Sequence, residues 1–160
     1  MAGTSSLFGR ALALVRRARA KPLRIFLAGS GCCAERAVEA LASERRIALA
    51  SAPERAQLLL VAGRISLKSA PLVLAAFRAL PQPRWVVAAG SCAATGGLFD
   101  VYPVVPGAGR LVPVDMFVPG CPPDPGALRA ALEEIAAATA LRAPGPAGGA
   151  EGENRARGPA

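Results

Sequence analysis

Histidine is absent from this chain of 160 residues. Its absence excludes every mechanism that relies on an imidazole: His-based acid–base catalysis, Ser-His and Cys-His nucleophiles, and zinc sites with a histidine ligand. Any chemistry that the protein performs must therefore run through thiolates, carboxylates, backbone groups or a cofactor.

Aromatic residues are scarce, at 4% of the sequence, and none lies among the basic residues near the N-terminus. Six of those basic residues precede the first acidic one, Glu35, and they are Arg10, Arg16, Arg17, Arg19, Lys21 and Arg24. Proteins that bind single strands stack the bases on aromatic side chains. Nucleic acid is therefore not the expected partner, whereas anionic lipid or an acidic protein fits the charge.

The first 21 residues are predicted to form a basic N-terminal arm. Over residues 5–20, helical spacing places apolar side chains on one face and arginines on the other, as in an amphipathic helix. Such a helix either lies on a membrane surface or a partner subunit, or is simply a solvated end.

Long apolar runs are also missing. The longest, such as residues 57–63 and 85–90, fall far short of the roughly 20 residues that a membrane-spanning helix needs. The N-terminus does not fit a secretory signal, because its basic residues follow the apolar stretch. The sequence therefore predicts a reducing cytoplasmic compartment, where thiols more often bind metals than form disulfides.

Apolar runs alternate with helical patterns through the middle of the chain. Strands are predicted over residues 23–28, 47–50, 57–62 and 85–89, with an edge strand or irregular extended segment over 111–118. Helices are predicted after the Cys32-Cys33 pair, after Ser69, and after Asp124, which should cap the last one. This alternation predicts a flavodoxin-like α/β domain over residues 22–142, with a parallel sheet covered by helices on both faces. Residues 143–160, rich in Ala, Gly and Pro, are predicted to be a disordered tail.

Four cysteines occupy the turns that follow these strands: Cys32, Cys33, Cys92 and Cys121. Each lies in a Gly- or Pro-rich turn, where α/β proteins bind ligands at the carboxyl ends of their strands. We expect the three cysteine loops to gather at that edge and the four thiols to form one site. The helix N-terminus should favour the thiolate form of Cys32 and Cys33.

The residues leave several uses of four thiols open. A structural zinc site usually takes C-x2-C knuckles, and the sequence has none. Four thiolates match the ligand count of a [4Fe-4S] cluster, which can accept adjacent cysteines at different irons. The alternatives are four unrelated small buried side chains, or a vicinal disulfide between Cys32 and Cys33.

Three segments resemble the family of the 20 kDa subunit of respiratory complex I, known in bacteria as a subunit of NADH-quinone oxidoreductase. They are Gly-Cys-Cys-Ala at 31–34, Pro-Arg-Trp-Val-Val-Ala-Ala-Gly-Ser-Cys-Ala at 83–93, and Val-Pro-Val-Asp-Met-Phe-Val-Pro-Gly-Cys-Pro-Pro at 112–123. The resemblance implies that Cys32, Cys33, Cys92 and Cys121 hold one [4Fe-4S] cluster that passes electrons to quinone. It further implies a larger partner subunit at the quinone site, in a translocase-type complex. The chain would be peripheral, on the cytoplasmic face of the inner membrane.

The family is kin to the small subunits of nickel-iron hydrogenases, which usually carry C-x2-C at the first position. The adjacent pair therefore favours the complex I branch, with a membrane-bound hydrogenase-like complex or a non-catalytic assembly protein as alternatives. After the pair, residues 35–39 read Glu-Arg-Ala-Val-Glu, without the methionines common in the family. Because that segment helps to shape the quinone pocket of relatives, the resemblance supports the cluster further than the quinone. No nicotinamide or flavin fingerprint is present, so NADH chemistry would belong to other subunits.

Overall fold

The computed structural model describes residues 22–42, 44–98 and 101–141. The strands are β1 (Leu23–Gly29), β2 (Ile47–Leu49), β3 (Leu58–Ala62), β4 (Trp85–Ala89) and β5 (Met116–Val118). The α-helices are α1 (Cys32–Ala42), α2 (Ala70–Ala79), α3 (Ser91–Thr95) and α4 (Pro125–Leu141), with 3-10 turns at Pro53–Arg55 and Ala108–Arg110. The predicted arm over 1–21 and tail over 143–160 lie outside the described residues, so those boundaries stay predictions.

The five strands form one parallel sheet in the order β2-β1-β3-β4-β5. This is the strand order of flavodoxin-like folds, which bind ligands beyond the carboxyl ends of the strands. The predicted fold class is therefore confirmed. Within the described ranges, no helix combines the length and the apolar composition that crossing a bilayer requires.

Two apolar cores lie on opposite faces of the sheet. Successive side chains of a strand point to opposite faces, so Leu58 and Leu60 pack with α1 and α4, whereas Leu59 and Val61 pack with α2. All five residues of β3 are buried. Cover on both faces explains why the central strands read as continuous apolar runs rather than as alternating patterns.

The last strand is shorter than its apolar run suggests. Residues 111–118 were predicted as an edge strand or irregular segment, and only Met116–Val118 pairs, at the edge of the sheet beside β4. Upstream of it, Pro113 has no N–H to donate. Asp115 extends the contact with β4 by two hydrogen bonds: its N–H donates to the Val86 carbonyl oxygen at 2.9 Å, and its Oδ2 accepts from the Val86 N–H at 2.7 Å. The prediction of an edge position is confirmed.

Asp124 caps α4, as predicted from the sequence. Its Oδ2 accepts a hydrogen bond from the Ala127 N–H at 2.8 Å, and Pro125 is the first helical residue. Asp124→Ala is expected to lower the free energy of unfolding by about 1 kcal/mol, because it leaves that N–H without its side-chain acceptor. Urea denaturation measures the loss, with Asp124→Asn as the control because asparagine caps about as well as aspartate. Equal losses in the two variants would show that the side-chain oxygen does not act as a cap.

Candidate functional site

The three cysteine loops lie at the carboxyl edge of the sheet, as predicted. Cys32 and Cys33 open α1 shortly after β1 ends, Cys92 lies in α3 directly after β4, and Cys121 follows β5. In the strand order, β3 separates β1 from β4. The first loop must therefore pass the end of β3 to reach the other two.

Gly63 allows this passage. It follows β3 with a φ of 86°, and a Cβ built on it would collide with the backbone oxygen of Ser30. The Ser30 N–H also donates to the Ala62 carbonyl oxygen at 3.2 Å. Only a residue without a side chain permits the backbone approach seen between these two loops.

Hydrogen bonds join the other two loops. The Gly90 N–H donates to the Val118 carbonyl oxygen at 2.8 Å. The Gly120 carbonyl oxygen accepts two bonds from Ser91, from the backbone N–H at 2.8 Å and from the hydroxyl at 3.1 Å. These bonds hold the segments before Cys92 and Cys121 in one arrangement.

Two glycines leave room for cysteine sulfurs. A Cβ on Gly90, which has a φ of 91°, would lie 2.6 Å from the Cys33 Sγ. A Cβ on Gly97, which has a φ of 74°, would lie 2.9 Å from the Cys92 Sγ. The Cys33 sulfur therefore contacts the loop that carries Cys92, which brings the first cysteine motif to the second.

The four thiols differ in their exposure to solvent. Cys33 is fully buried, Cys92 is partly buried, and Cys32 and Cys121 are exposed. Burial, together with the neighbouring Cys32, Cys92 and Cys121, raises the pKa of the Cys33 thiol from 9.0 to about 11. The expected preference for thiolate is therefore wrong for Cys33, because desolvation and like charges outweigh the helix N-terminus. The same effects show that the sulfurs of Cys32, Cys92 and Cys121 each lie within electrostatic reach of the Cys33 sulfur.

The four thiols are all free, so the Cys32–Cys33 pair is not joined as a vicinal disulfide. In the part of the chain that the structure describes, no group of three or more Cys, Asp or Glu side chains converges on a position for one metal ion. The arrangement is a set of four sulfurs around the meeting point of three loops.

Sequence reasoning named the cysteines but not the residues that position them. Gly90, Ser91 and Gly97 flank Cys92 in the sequence, and Gly120 precedes Cys121. The sequence feature that could have identified these positioning residues is the Gly-rich composition of the loops. The composition indicates turns, but it does not reveal which sulfur each glycine accommodates.

This fold and this site define a flavodoxin-like α/β protein with a four-cysteine site at the carboxyl edge of its sheet. The model of the family described as NADH ubiquinone oxidoreductase, 20 Kd subunit, matches residues 24–135. The chain belongs to this family, as its motifs suggested.

Its relatives include an NADH-quinone oxidoreductase subunit of Chloroflexus aurantiacus, 44% identical over 108 residues, with 64% of this chain and 62% of the relative covered. The corresponding NADH-quinone oxidoreductase subunit of Heliobacterium modesticaldum is 41% identical over 118 residues, with 69% of this chain and 67% of the relative covered. The chain thus spans somewhat under two thirds of the length of the Chloroflexus relative.

Two solved structures share the fold. A chain of the membrane-bound sulfane sulfur reductase, an archaeal respiratory membrane complex, superposes with a TM-score of 0.66 at 26% identity, covering 80% of this chain and 76% of that one. A chain of an NAD+-reducing [NiFe]-hydrogenase superposes with a TM-score of 0.59 at 19% identity, covering 78% of this chain and 95% of that one. At 19% identity, the similarity to the hydrogenase chain shows a shared fold and nothing more.

Proposed function

We propose that this chain is the electron-transfer subunit of a complex I-like NADH:quinone oxidoreductase. Cys32, Cys33, Cys92 and Cys121 would hold one [4Fe-4S] cluster, and the electrons would pass to quinone at the interface with a larger partner subunit. The observation that carries the proposal is that the fold brings every cysteine of the chain to one edge of the sheet.

The donor set fits such a cluster. Thiolates are soft ligands that suit iron–sulfur clusters, and four of them are the usual complement of a cubane. Each thiolate binds a different iron, so the four sulfurs need not converge on a single ion. A thiol that coordinates a metal is deprotonated outright. The raised pKa of the free Cys33 thiol is therefore compatible with ligation.

The bound cluster would supply a one-electron carrier, whose potential depends on hydrogen bonds to its sulfurs and on its exposure. The chain would control that exposure through the position of the thiols. Cys33 is a residue of α1 and belongs to the apolar core on that face of the sheet, whereas Cys32 and Cys121 lie at the surface. A cluster held by these four residues would have one side against the protein core and one side available to a partner.

Apolar side chains beside the site support a subunit interface there. Leu98 and Tyr102 lie on the segment that follows α3, with 95% and 91% of their surfaces exposed. Exposed apolar side chains mark protein–protein contacts when they occur together rather than singly, and Val101, next to Tyr102, is exposed as well. We therefore propose that the partner subunit covers this segment. We also propose that other subunits oxidise NADH. The assembly would be peripheral, on the cytoplasmic face of the inner membrane.

Chemical analysis tests the cluster directly. The full chain, purified without oxygen, is expected to contain about four iron and four sulfide per chain and to give a reducible paramagnetic signal. Stoichiometric zinc without sulfide would contradict the proposal. In the purified complex, reduction of this cluster by NADH and not by hydrogen would distinguish it from the hydrogenase-like alternative.

A further inference from the structure

The outer side of α2 is apolar, although it faces solvent. Val73 and Ala76, on the inner side, belong to the core beneath the helix. On the outer side Pro71, Leu72 and Ala75 are exposed, and 70% of the Leu72 surface is open to solvent. A helix that is apolar on both sides is normally buried. The composition of α2 is therefore that of a helix covered on both sides.

The other two long helices have the charged outer surface that is usual for helices in contact with water. Each carries three charged residues, which are Glu35, Arg36 and Glu39 on α1 and Arg129, Glu133 and Glu134 on α4. In α2 the only charged residue is Arg78, in the last turn. The apolar outer side is thus a particular feature of α2 and not of the domain as a whole.

Two paired loops extend this apolar surface from α2 toward the cysteine site. The loop before α2 pairs antiparallel with the loop after α3, through a bridge between Ser66 and Val104. The Leu67 N–H donates to the Pro103 carbonyl oxygen at 2.9 Å. Leu67 is exposed, and so is Tyr102, which precedes Pro103. The pairing therefore joins the start of α2 to the exposed segment beside the cysteine site.

Hydrogen bonds also fix the loop before α2. The Ser66 N–H donates to the Ser69 Oγ at 2.9 Å, and the Ser69 N–H donates to the Ser66 Oγ at 3.1 Å. The Leu72 N–H donates to the Ser69 carbonyl oxygen at 3.0 Å. Leu67 and Leu72 are therefore held by one ordered turn. A surface that is already ordered loses little conformational freedom on binding, which favours association with a protein of complementary shape.

The border of this apolar surface is basic. Lys68 lies one turn before Leu72, Arg78 lies in the last turn of α2, and both are exposed. Neither forms an ion pair with an acidic residue among those that the structure describes. From Arg55 to Val114 the sequence has six basic residues and a single acidic one, Asp100. The positive charge at this border is therefore not balanced by the chain itself.

We propose that Leu67, Leu72 and Tyr102 form the centre of a docking surface, the α2 surface, for an acidic-bordered apolar patch on the larger partner subunit. Burial of these side chains would supply affinity. Acidic groups opposite Lys68 and Arg78 would supply complementarity and faster association. The inference rests on the proposed function for the identity of the partner, and it adds the surface that the partner covers and the charge that the partner carries there.

Other occupants fit the α2 surface less well. Each basic residue contributes only about fivefold to binding of an anionic membrane, and stable anchoring takes a second signal. A second copy that docked through the same surface would bring Lys68 and Arg78 against their own counterparts, and like charges disfavour such a contact. Nucleic acid would need stacking aromatic side chains, and Tyr102 is the only aromatic residue at the centre of the surface.

Binding of the full chain to the larger subunit, expressed separately and immobilised, tests the surface. Leu72→Gln is expected to weaken binding by on the order of tenfold, because the interface loses a buried leucine side chain. Glutamine has nearly the same helix propensity as leucine, so α2 should remain intact by circular dichroism. The matched control is Leu49→Gln, which changes an exposed leucine on β2. The control should alter binding by less than about twofold.

A second pair of variants tests the charge. Lys68→Glu should weaken binding by on the order of tenfold at low salt, and by less as salt is raised, because it places like charges opposite each other. Arg45→Glu makes the same change of charge at an exposed position in the turn between α1 and β2. This control should weaken binding by less than about threefold, since only the overall charge of the chain changes.

The proposal would be overturned by failure of the chain to bind the larger subunit, or by equal losses in the variants and their controls. Weakened self-association or weakened binding to phosphatidylglycerol vesicles, with binding to the larger subunit unchanged, would overturn it in favour of another occupant. Iron content separates this proposal from the proposed cluster. An iron-free chain with the expected binding pattern would support the α2 surface and contradict the cluster. A chain with its full iron and no effect of Leu72→Gln or Lys68→Glu would contradict the α2 surface alone.

Discussion

Cys33→Ser is expected to abolish assembly of the cluster and to lower iron from about four to less than one per chain. Cys33 is the fully buried thiol, and the raised pKa of that thiol reflects its burial and the presence of Cys32, Cys92 and Cys121 around it. A serine hydroxyl is a hard ligand and a poor substitute for a soft thiolate on iron. Changes in the residues around a metal site already cost about 10- to 100-fold in affinity. The loss of a ligand should therefore exceed about 100-fold.

Cys32→Ser, Cys92→Ser and Cys121→Ser should each lose the same signal if the four thiols serve one cluster. Ala37→Ser is the matched control, because it adds a buried hydroxyl to α1 one turn beyond Cys33 without removing a thiol. It should destabilise the fold while retaining iron. Iron content and electron paramagnetic resonance decide the outcome. A full and unaltered signal in any one of the four cysteine variants would refute the four-ligand assignment.

Gly90→Ala should disrupt the same site although it replaces none of the four cysteines. The new methyl group would lie 2.6 Å from the Cys33 Sγ, and alanine rarely adopts the φ of 91° found here. A non-glycine residue in such a conformation costs about 1–3 kcal/mol. We expect the free energy of unfolding of the iron-free chain to fall by at least that amount. Cluster content should fall with it, because the Cys33 sulfur must move.

Gly109→Ala controls for the general effect of adding a methyl group. Its nearest neighbour would be the Phe117 Cζ at 3.8 Å, an ordinary contact, and its φ is not in the left-handed region. The control should unfold at the same urea concentration as the unchanged chain and retain its iron. Should Gly90→Ala behave like Gly109→Ala in both measurements, the close packing of Gly90 on Cys33 would not matter to the site.

The predictions from the sequence were most accurate for the central strands and for the helix starts. Trp85–Ala89 agrees with its predicted bounds, and Asp124 caps α4 as expected, because both signals are local. The extent of the strand within residues 111–118 was harder to predict, because the pairing of an edge strand depends on its neighbour. Before that strand begins, the Asp115 N–H donates to the Val86 carbonyl oxygen and the Asp115 carboxylate accepts from the Val86 N–H, and no local pattern indicates the side-chain bond.

For the site, the sequence by itself determined which residues are available: four thiols, no imidazole, and glycine-rich turns after strands. The alternation of strands and helices predicted a parallel sheet, and the turns that follow parallel strands share one edge because the carboxyl ends of those strands all lie there. The tertiary structure alone decided how the thiols differ. Cys32 and Cys33 are adjacent in sequence, yet one is exposed and the other is buried. Burial depends on the Gly90 loop, which lies nearly 60 residues away in the chain. Desolvation by so distant a segment is a property of packing, and it reversed the thiolate preference that the helix N-terminus alone had predicted for Cys33.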